Sequence, residues 1–383
     1  MHPTVYLNVS ELADEIARFQ AALTRQSSTR FAGICGFDGF IDTFIQMESP
    51  DTMAEFGPRV TAAAGVAASF VSTHQGDKFG GNGPLFASAL SELYANQIDV
   101  AYIGAMGRHD VMPIYREALG ARMKHLYTLA EPAHSDCLEF RDGKIMLSDT
   151  SSCAEITWER LIECVGALAL DGHLQESRFV GAVNWGKLPN VGEIWRNIGK
   201  RLRELDVPPK HVFFFMDLAE FEQRPLEDRT ELLALIGEIT GQCHTLLSLN
   251  LKEAWQMNET LGGGCPRPRA PAEVAALAAF LRRHINADRI IVHPNDGAAC
   301  ASADGCVYIP GPFCTRPLLS VGAGDNFGAG CLAGCLEGFD DLGILIAGTC
   351  ASGHFVRSGK TPSFKEISQL LDAWMRGTLP DRL

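Results

Sequence analysis

The chain has 383 residues, 46% of them hydrophobic and 21% charged, with a formal net charge of −13. That length holds one large domain or two of ordinary size, with a core that needs neither metal nor disulfide to stand. The acidic balance argues against nucleic acid or an anionic membrane as the main partner, because both demand a basic face; a local pocket can still take a small anion.

The twelve cysteines fall singly and mostly in apolar runs, with no C-x-x-C. Cys331 and Cys335, four apart on an expected helix, read as buried thiols sooner than as a metal pair. The opening MHPTVYLNVSELADEI carries acids and lacks the apolar core of a secretion signal. No apolar run approaches the ~18–20 residues of a membrane span. A reduced, cytoplasmic protein is expected.

In chain order, Val9, Leu12, Ile16, Phe19 and Leu23 repeat at three and four, which predicts an amphipathic helix with Ser10 as N-cap. FAGICGFDGFIDTFIQM (31–47) reads as a buried strand broken by glycine and two acids, and 51–72 as helical in its alanine-rich half. GGNGPLFASALSELYANQI (80–98) is a glycine-rich turn feeding a helix, followed by the strand DVAYIGAMG (99–107). Asp142-Gly143 between two alternating runs predicts a hairpin over 135–149. Beyond it, short β-branched or aromatic strands alternate with helices, the pattern of βαβ units and a parallel sheet. With no repeat and no low-complexity linker, one α/β domain is expected, carrying a small appendage built from the early hairpin and the 43–79 stretch.

Four constellations carry chemistry. SVGAGDNFGAG (320–330) opens a helix rich in small residues. Gly322, Ala323 and Gly324 would sit at its N-terminus, where free N–H groups and the helix dipole favour an anion. Asp325 is then either a first-turn cap or a carboxylate able to take a proton from an attacking hydroxyl. Asn250 and Glu253 stand three apart at a strand-to-helix junction. They fit a capping box, and equally a pair of hard oxygen ligands for Mg²⁺. Gly80-Gly81-Asn82-Gly83 is either a tight turn with a left-handed Asn or a loop against which a polyol can lie. Asp38 and Asp42 lie near the carboxyl end of the first strand, where open α/β sheets bind ligands, and could grip vicinal hydroxyls.

The order of these motifs resembles the ribokinase-like, or PfkB, family of carbohydrate and nucleoside kinases. The matching features are Asp42, Gly80-Gly81-Asn82, IGAMGRHD with Gly104, Gly107 and Asp110, Asn250–Glu253, and Gly322–Asp325; CASGHFVRSGKTPSF is similar to the family's adenine-side helix and loop. The resemblance runs from about Phe31 onward, leaving 1–30 as an N-terminal helical extension to a kinase domain over 31–383. It implies a three-layer sandwich, a mostly parallel sheet between helices, with a small β-rich lid from segments near 43–79 and 133–150. It also implies an ATP- and Mg²⁺-dependent kinase acting on a sugar or sugar derivative, with Asp325 as base and Gly322–Asp325 as anion hole. Asn250 and Glu253 would hold the Mg²⁺ shell through water. Asp42, Asp38, Gly81 and Asn82 would face the sugar; His293, Asn295 and Gly297 would lie on the nucleotide. In some relatives lid strands pair between subunits, so a homodimer is the expected assembly.

Three departures stand out. Where relatives carry Asp-Thr before the GAGD, this chain has Leu319-Ser320, so the acid that helps build a monovalent-cation site in some members is missing. The nucleotide loop reads His293-Pro294-Asn295-Asp296-Gly297 in place of Thr-x-Gly, and Pro294 removes a donor. Asp42 and Gly80 are 38 positions apart, which predicts an elaborated lid. A nucleoside or another small alcohol is the alternative substrate, with Phe37, Phe40, Phe44 and Phe79 as a shelf for a base, and a non-catalytic ligand sensor is the alternative class. A dinucleotide dehydrogenase is disfavoured because no G-x-G-x-x-G follows the first strand.

Overall fold

The computed structural model describes residues 3–23 and 30–383. Its strands are β1 (Thr4–Val5), β2 (Ala32–Gly36), β3 (Phe40–Ser49), β4 (Val71–Gly80), β5 (Asp99–Gly104), β6 (His125–Thr128), β7 (Ala133–Phe140), β8 (Gly143–Asp149), β9 (Phe179–Ala182), β10 (Phe213–Asp217), β11 (His244–Asn250), β12 (Arg289–His293), β13 (Gly297–Ala301) and β14 (Cys306–Pro310). Ten of them form one sheet in the order β1-β14-β13-β12-β11-β10-β9-β2-β5-β6. Its pairings are parallel except where β13 meets β12 and β14.

The central strands are apolar on both faces, as a parallel sheet covered on both sides requires. Val180, Phe214, Leu247 and Ile290 point into one core, against helices that include 191–204, 226–240 and 271–284. Their neighbours Phe179, Phe215, Leu246 and Ile291 point into the other, against 82–93, 323–336, 341–358 and 364–375. The result is a helix–sheet–helix sandwich of the expected kind. Residues before Phe31 join it: Thr4 and Val5 add an edge strand beside β14, and Leu12, Ile16 and Phe19 are buried in the second core. The rest of that segment, 1–2 and 24–29, lies outside the described residues.

The remaining four strands make a separate sheet, β4-β3-β7-β8. β3 runs antiparallel to β4 and parallel to β7, with Asp42 opposite both Lys78 and Ser135. The expected hairpin over 135–149 is its β7–β8 edge. Its far end has a small core of its own, where Phe56 of helix 53–62 packs between Phe70 and Phe140 at 4.9 and 5.0 Å.

Three local expectations are corrected. The single strand over 31–47 is two strands in different sheets. The chain turns between them at Gly39, where a Cβ would lie 1.8 Å from the Ala105 carbonyl oxygen. The helix in 51–72 occupies Met53–Ala62 and not the alanine-rich half: Thr52 caps it by accepting from the Glu55 N–H, and Gly65 at φ 85° follows its end. The first helix begins at Ala13 after a short 3₁₀ turn, so Ser10 is not its N-cap.

Candidate active site

The chain order along the sheet reverses at β2, which lies between β5 and β9. Such a switch point opens a crevice beyond the carboxyl ends of the strands. Four polar residues emerge there: Asp38 after β2, Asn184 after β9, Asp217 closing β10 and Asn250 closing β11. The start of helix 323–336 faces the same crevice.

Asp38 is fully buried and heavily used. Its Oδ2 accepts from the Asn82 N–H (2.9 Å) and from Asn184 Nδ2 (2.5 Å), and its Oδ1 accepts from the Gly83 N–H (2.7 Å). The tyrosine hydroxyl of Tyr102 donates to its main-chain carbonyl (2.6 Å). Burial pushes its pKa up to about 6 against the pull of Asn184 and the two backbone donors. Asp38 therefore caps helix 82–93, and its oxygens are already committed to the protein.

This explains the glycine-rich turn. A Cβ at Gly83 would stand 2.5 Å from Asp38 Oδ1, and one at Gly80 would stand 2.2 Å from Asp42 Oδ2. The glycines admit the protein's own acids, where the sequence had left room for a polyol. Gly81, at φ 97°, takes the left-handed position that the turn requires, and Asn82 is the first helical residue. Asn82 Nδ2 donates to Asp325 Oδ1 at 3.1 Å, so the turn and the GAGD helix meet side chain to side chain.

Gly322 opens helix 323–336 in the left-handed conformation, φ 89°. The Ala323 N–H bonds to Ser320 and the Asn326 N–H to Gly322. The N–H groups of Gly324 and Asp325 have no backbone partner among the described residues. A Cβ at Gly324 would meet nothing within 4 Å, so its backbone is open to the cleft. Farther along, Gly328 and Gly330 are packing positions: a Cβ would lie 2.6 Å from the Phe215 ring and from the Ala347 carbonyl oxygen. Asp325 is partly exposed. Burial, then the charge of Asp217, raises its pKa well above the usual carboxylate range.

Asn250 and Glu253 form a complete capping box. Glu253 Oε2 accepts from the Asn250 N–H (3.0 Å), Oε1 accepts from Asn250 Nδ2 (2.6 Å), and the Glu253 N–H donates to Asn250 Oδ1 (3.0 Å). Glu253 is buried, and burial with the Asp217 charge raises its pKa. Asn250 alone of the two reaches the neighbouring cleft of about 520 Å³, which it shares with His293, Asn295, Gly297, Phe313, Ala323 and Gly324. There His293 stacks on Phe327 (4.4 Å), its Nε2 is buried without a partner, and burial lowers its pKa to about 4. Gly297 lies in β13, its Cα against the Tyr308 hydroxyl.

Asp42 stands apart from this set, on the lid strand. Burial raises its pKa, against the Ser135 hydroxyl and the charges of Lys144 and His134. The aromatic shelf expected for a base is mostly spent elsewhere: Phe37 and Phe40 are core residues, and Phe79 packs against Tyr115. Asp217 and Asn184 were not anticipated. Asp217 ends the run FFFMD at a strand's carboxyl end, the same signal that marked Asp38, while Asn184 at φ 62° has no comparable signature.

No group of three or more His, Cys, Asp or Glu able to hold a metal occurs among the described residues, and no described helix is long and apolar enough to cross a membrane. Cys331 and Cys335 are buried thiols.

A switch-point crevice in a helix–sheet–helix sandwich with a small lid sheet is the architecture of a ribokinase-type kinase. Solved structures agree on the fold: ribokinase from Arabidopsis thaliana (TM-score 0.65, 16% identity, 90% of this chain and 99% of that one) and ribokinase from Thermotoga maritima (0.63, 13%, 91% and 99%). A nucleoside kinase from Burkholderia thailandensis in complex with inosine shares it at TM-score 0.58 and 18% identity, over 92% of this chain and 99% of that one. The family model for prokaryotic ketohexokinase matches residues 15–374, so the chain belongs to that family and is a sugar kinase. A ketohexokinase from Haloferax volcanii is 23% identical over 355 residues, 89% of this chain and 90% of that protein.

Proposed function

We propose that this protein transfers the γ-phosphoryl group of ATP to a hydroxyl of a ketohexose. The observation that carries the reading is the Asn82–Asp325 bond at a helix start where the Gly324 and Asp325 N–H groups have no backbone partner among the described residues. Asp325, with a raised pKa, accepts the proton of the attacking hydroxyl while Asn82 fixes which oxygen is turned toward it. The N–H groups of Gly324 and Asp325 stabilise charge on the transferring phosphoryl group. Asp42 and Asn82 hold sugar hydroxyls, with Asp38 and Gly81 setting the turn beneath them. The lid sheet closes over the sugar and excludes water.

The 520 Å³ cleft takes the nucleotide, and two features fit it: the unpartnered Nε2 of His293 and the open backbone at Gly324. Asn295 and Gly297 line the same wall. Mg²⁺, when bound with ATP, neutralises phosphate charge. Both Glu253 oxygens are engaged by Asn250, so Glu253 supports the site and does not ligate directly; Asn250 and Asp217 would hold the ion's water shell.

The test is a phosphorylation assay with ATP and magnesium across fructose, other ketohexoses, aldohexoses, ribose and inosine. Turnover should be greatest with a ketohexose. A preference for inosine or ribose would overturn the substrate class. Unchanged turnover in Asp325→Asn would remove Asp325 as the base.

A further inference from the structure

One charged group in the second core is used by neither the transfer site nor the sheet. Arg357, in the last turn of helix 341–358, is 2% exposed. Its guanidinium donates to four main-chain carbonyls: Pro312 (2.7 Å), Phe313 (2.6 Å), Gly353 (2.8 Å) and Pro380 (2.9 Å). None of these partners is a carboxylate. A buried cation satisfied by carbonyls alone is costly to keep, and its fork geometry ties three separate stretches of chain together.

Two of those stretches matter for the cleft. Pro312, Phe313, Cys314, Thr315 and Pro317 line the 520 Å³ cleft together with His293, and Phe313 is 54% exposed. The wall is itself neither strand nor helix. It is held by Arg357, by the Leu318 N–H on Val356 (2.7 Å), and by the segment that follows the last helix. Asp381 in that segment accepts from the Thr315 hydroxyl (2.5 Å) and from the Thr315 N–H (3.4 Å), and Arg382 donates to the Arg316 carbonyl (2.6 Å). Residues 375–383 lie beyond the stretch matched by the family model.

We propose that Arg357 and Asp381 are positioning residues for the nucleotide: together they clasp the Pro312–Pro317 wall against the 380–383 segment and so set affinity for the phosphoryl donor. The inference rests on the reading of this cleft as the ATP site. Neither residue touches the sugar side, so a donor-specific effect separates positioning from general damage.

The experiment uses the full chain as wild type, Arg357→Lys and Asp381→Ala. ATP with magnesium chloride is titrated calorimetrically, and KM is measured separately for ATP and for fructose. Lysine cannot span four carbonyls, so Arg357→Lys should raise Kd and KM for ATP by roughly tenfold or more. Asp381→Ala should raise both about threefold to tenfold. KM for fructose should stay within about twofold in each. Asp381 is on the surface, so that variant keeps the test intact if Arg357→Lys fails to fold. Wild type that binds ATP while Asp381→Ala binds it equally well would overturn the clasp alone. Equal rises in KM for ATP and fructose would overturn it as a donor-side device. Wild type that binds no ATP would overturn the reading of the cleft itself.

Discussion

The two sides of the crevice are built on opposite terms. On the side proposed for the sugar the acids are enclosed: the Asp38 carboxylate accepts from two backbone N–H groups and Asn184, and Gly80 and Gly83 leave room for carboxylates. On the side proposed for the nucleotide polar groups are left unfinished: His293 Nε2 is unpartnered, the Gly324 backbone is open, and one wall is a loop held from behind. If the proposed function holds, the protein preorganises the side that takes the sugar, and the nucleotide completes the other. Positioning that costs nothing at the moment of reaction is worth most beside the attacking hydroxyl.

The comparison can be broken in several places. Asp325, where the two sides meet, should show the largest effect: Asp325→Asn should lower kcat by about 10²–10⁴-fold with an unchanged far-UV spectrum. Because burial and Asp217 raise the Asp325 pKa, wild-type kcat/KM should fall with decreasing pH before the usual carboxylate range is reached. Asp38→Ala strands buried donors and should cost about 3 kcal/mol in denaturant unfolding, a stability loss and not merely a weaker KM for sugar.

On the nucleotide side His293 gives a signed pH test. Its folded pKa of about 4 lies below the ordinary 6.5, so the unfolded chain binds the extra proton and stability is lost as pH falls from 6.5 toward 4. His293→Phe should remove that loss, gaining about 3 kcal/mol on wild type at pH 4 relative to pH 8. Gly83→Ala places a methyl against Asp38 and should cost about 1–2 kcal/mol in the same measurement. Asn250→Ala removes one half of a capping box and should cost about 1 kcal/mol, the smallest change, with a rise in KM for ATP.

Much of this was legible in the residues alone. Local chemistry decides helix starts, alternating strands and glycine turns, and that was enough for the parallel sheet, the hairpin over 135–149 and the GAGD helix start. It was also enough to place Asp325, Asn82, Asn250 and His293 near one another through their order along the chain. What it did not reveal depends on contacts between distant segments. The split of 31–47 follows from the approach of Gly39 to Ala105. Asp38 turned from an expected sugar ligand into a helix cap because Asn184, 146 positions away, and the 82–83 backbone converge on it. The Pro312–Pro317 wall of the cleft has no sequence signature, since carbonyls bonded to Arg357 come from any residue type. Side-chain identity therefore specified the chemistry available, while burial and long-range hydrogen bonding decided which of those groups were left free to use it.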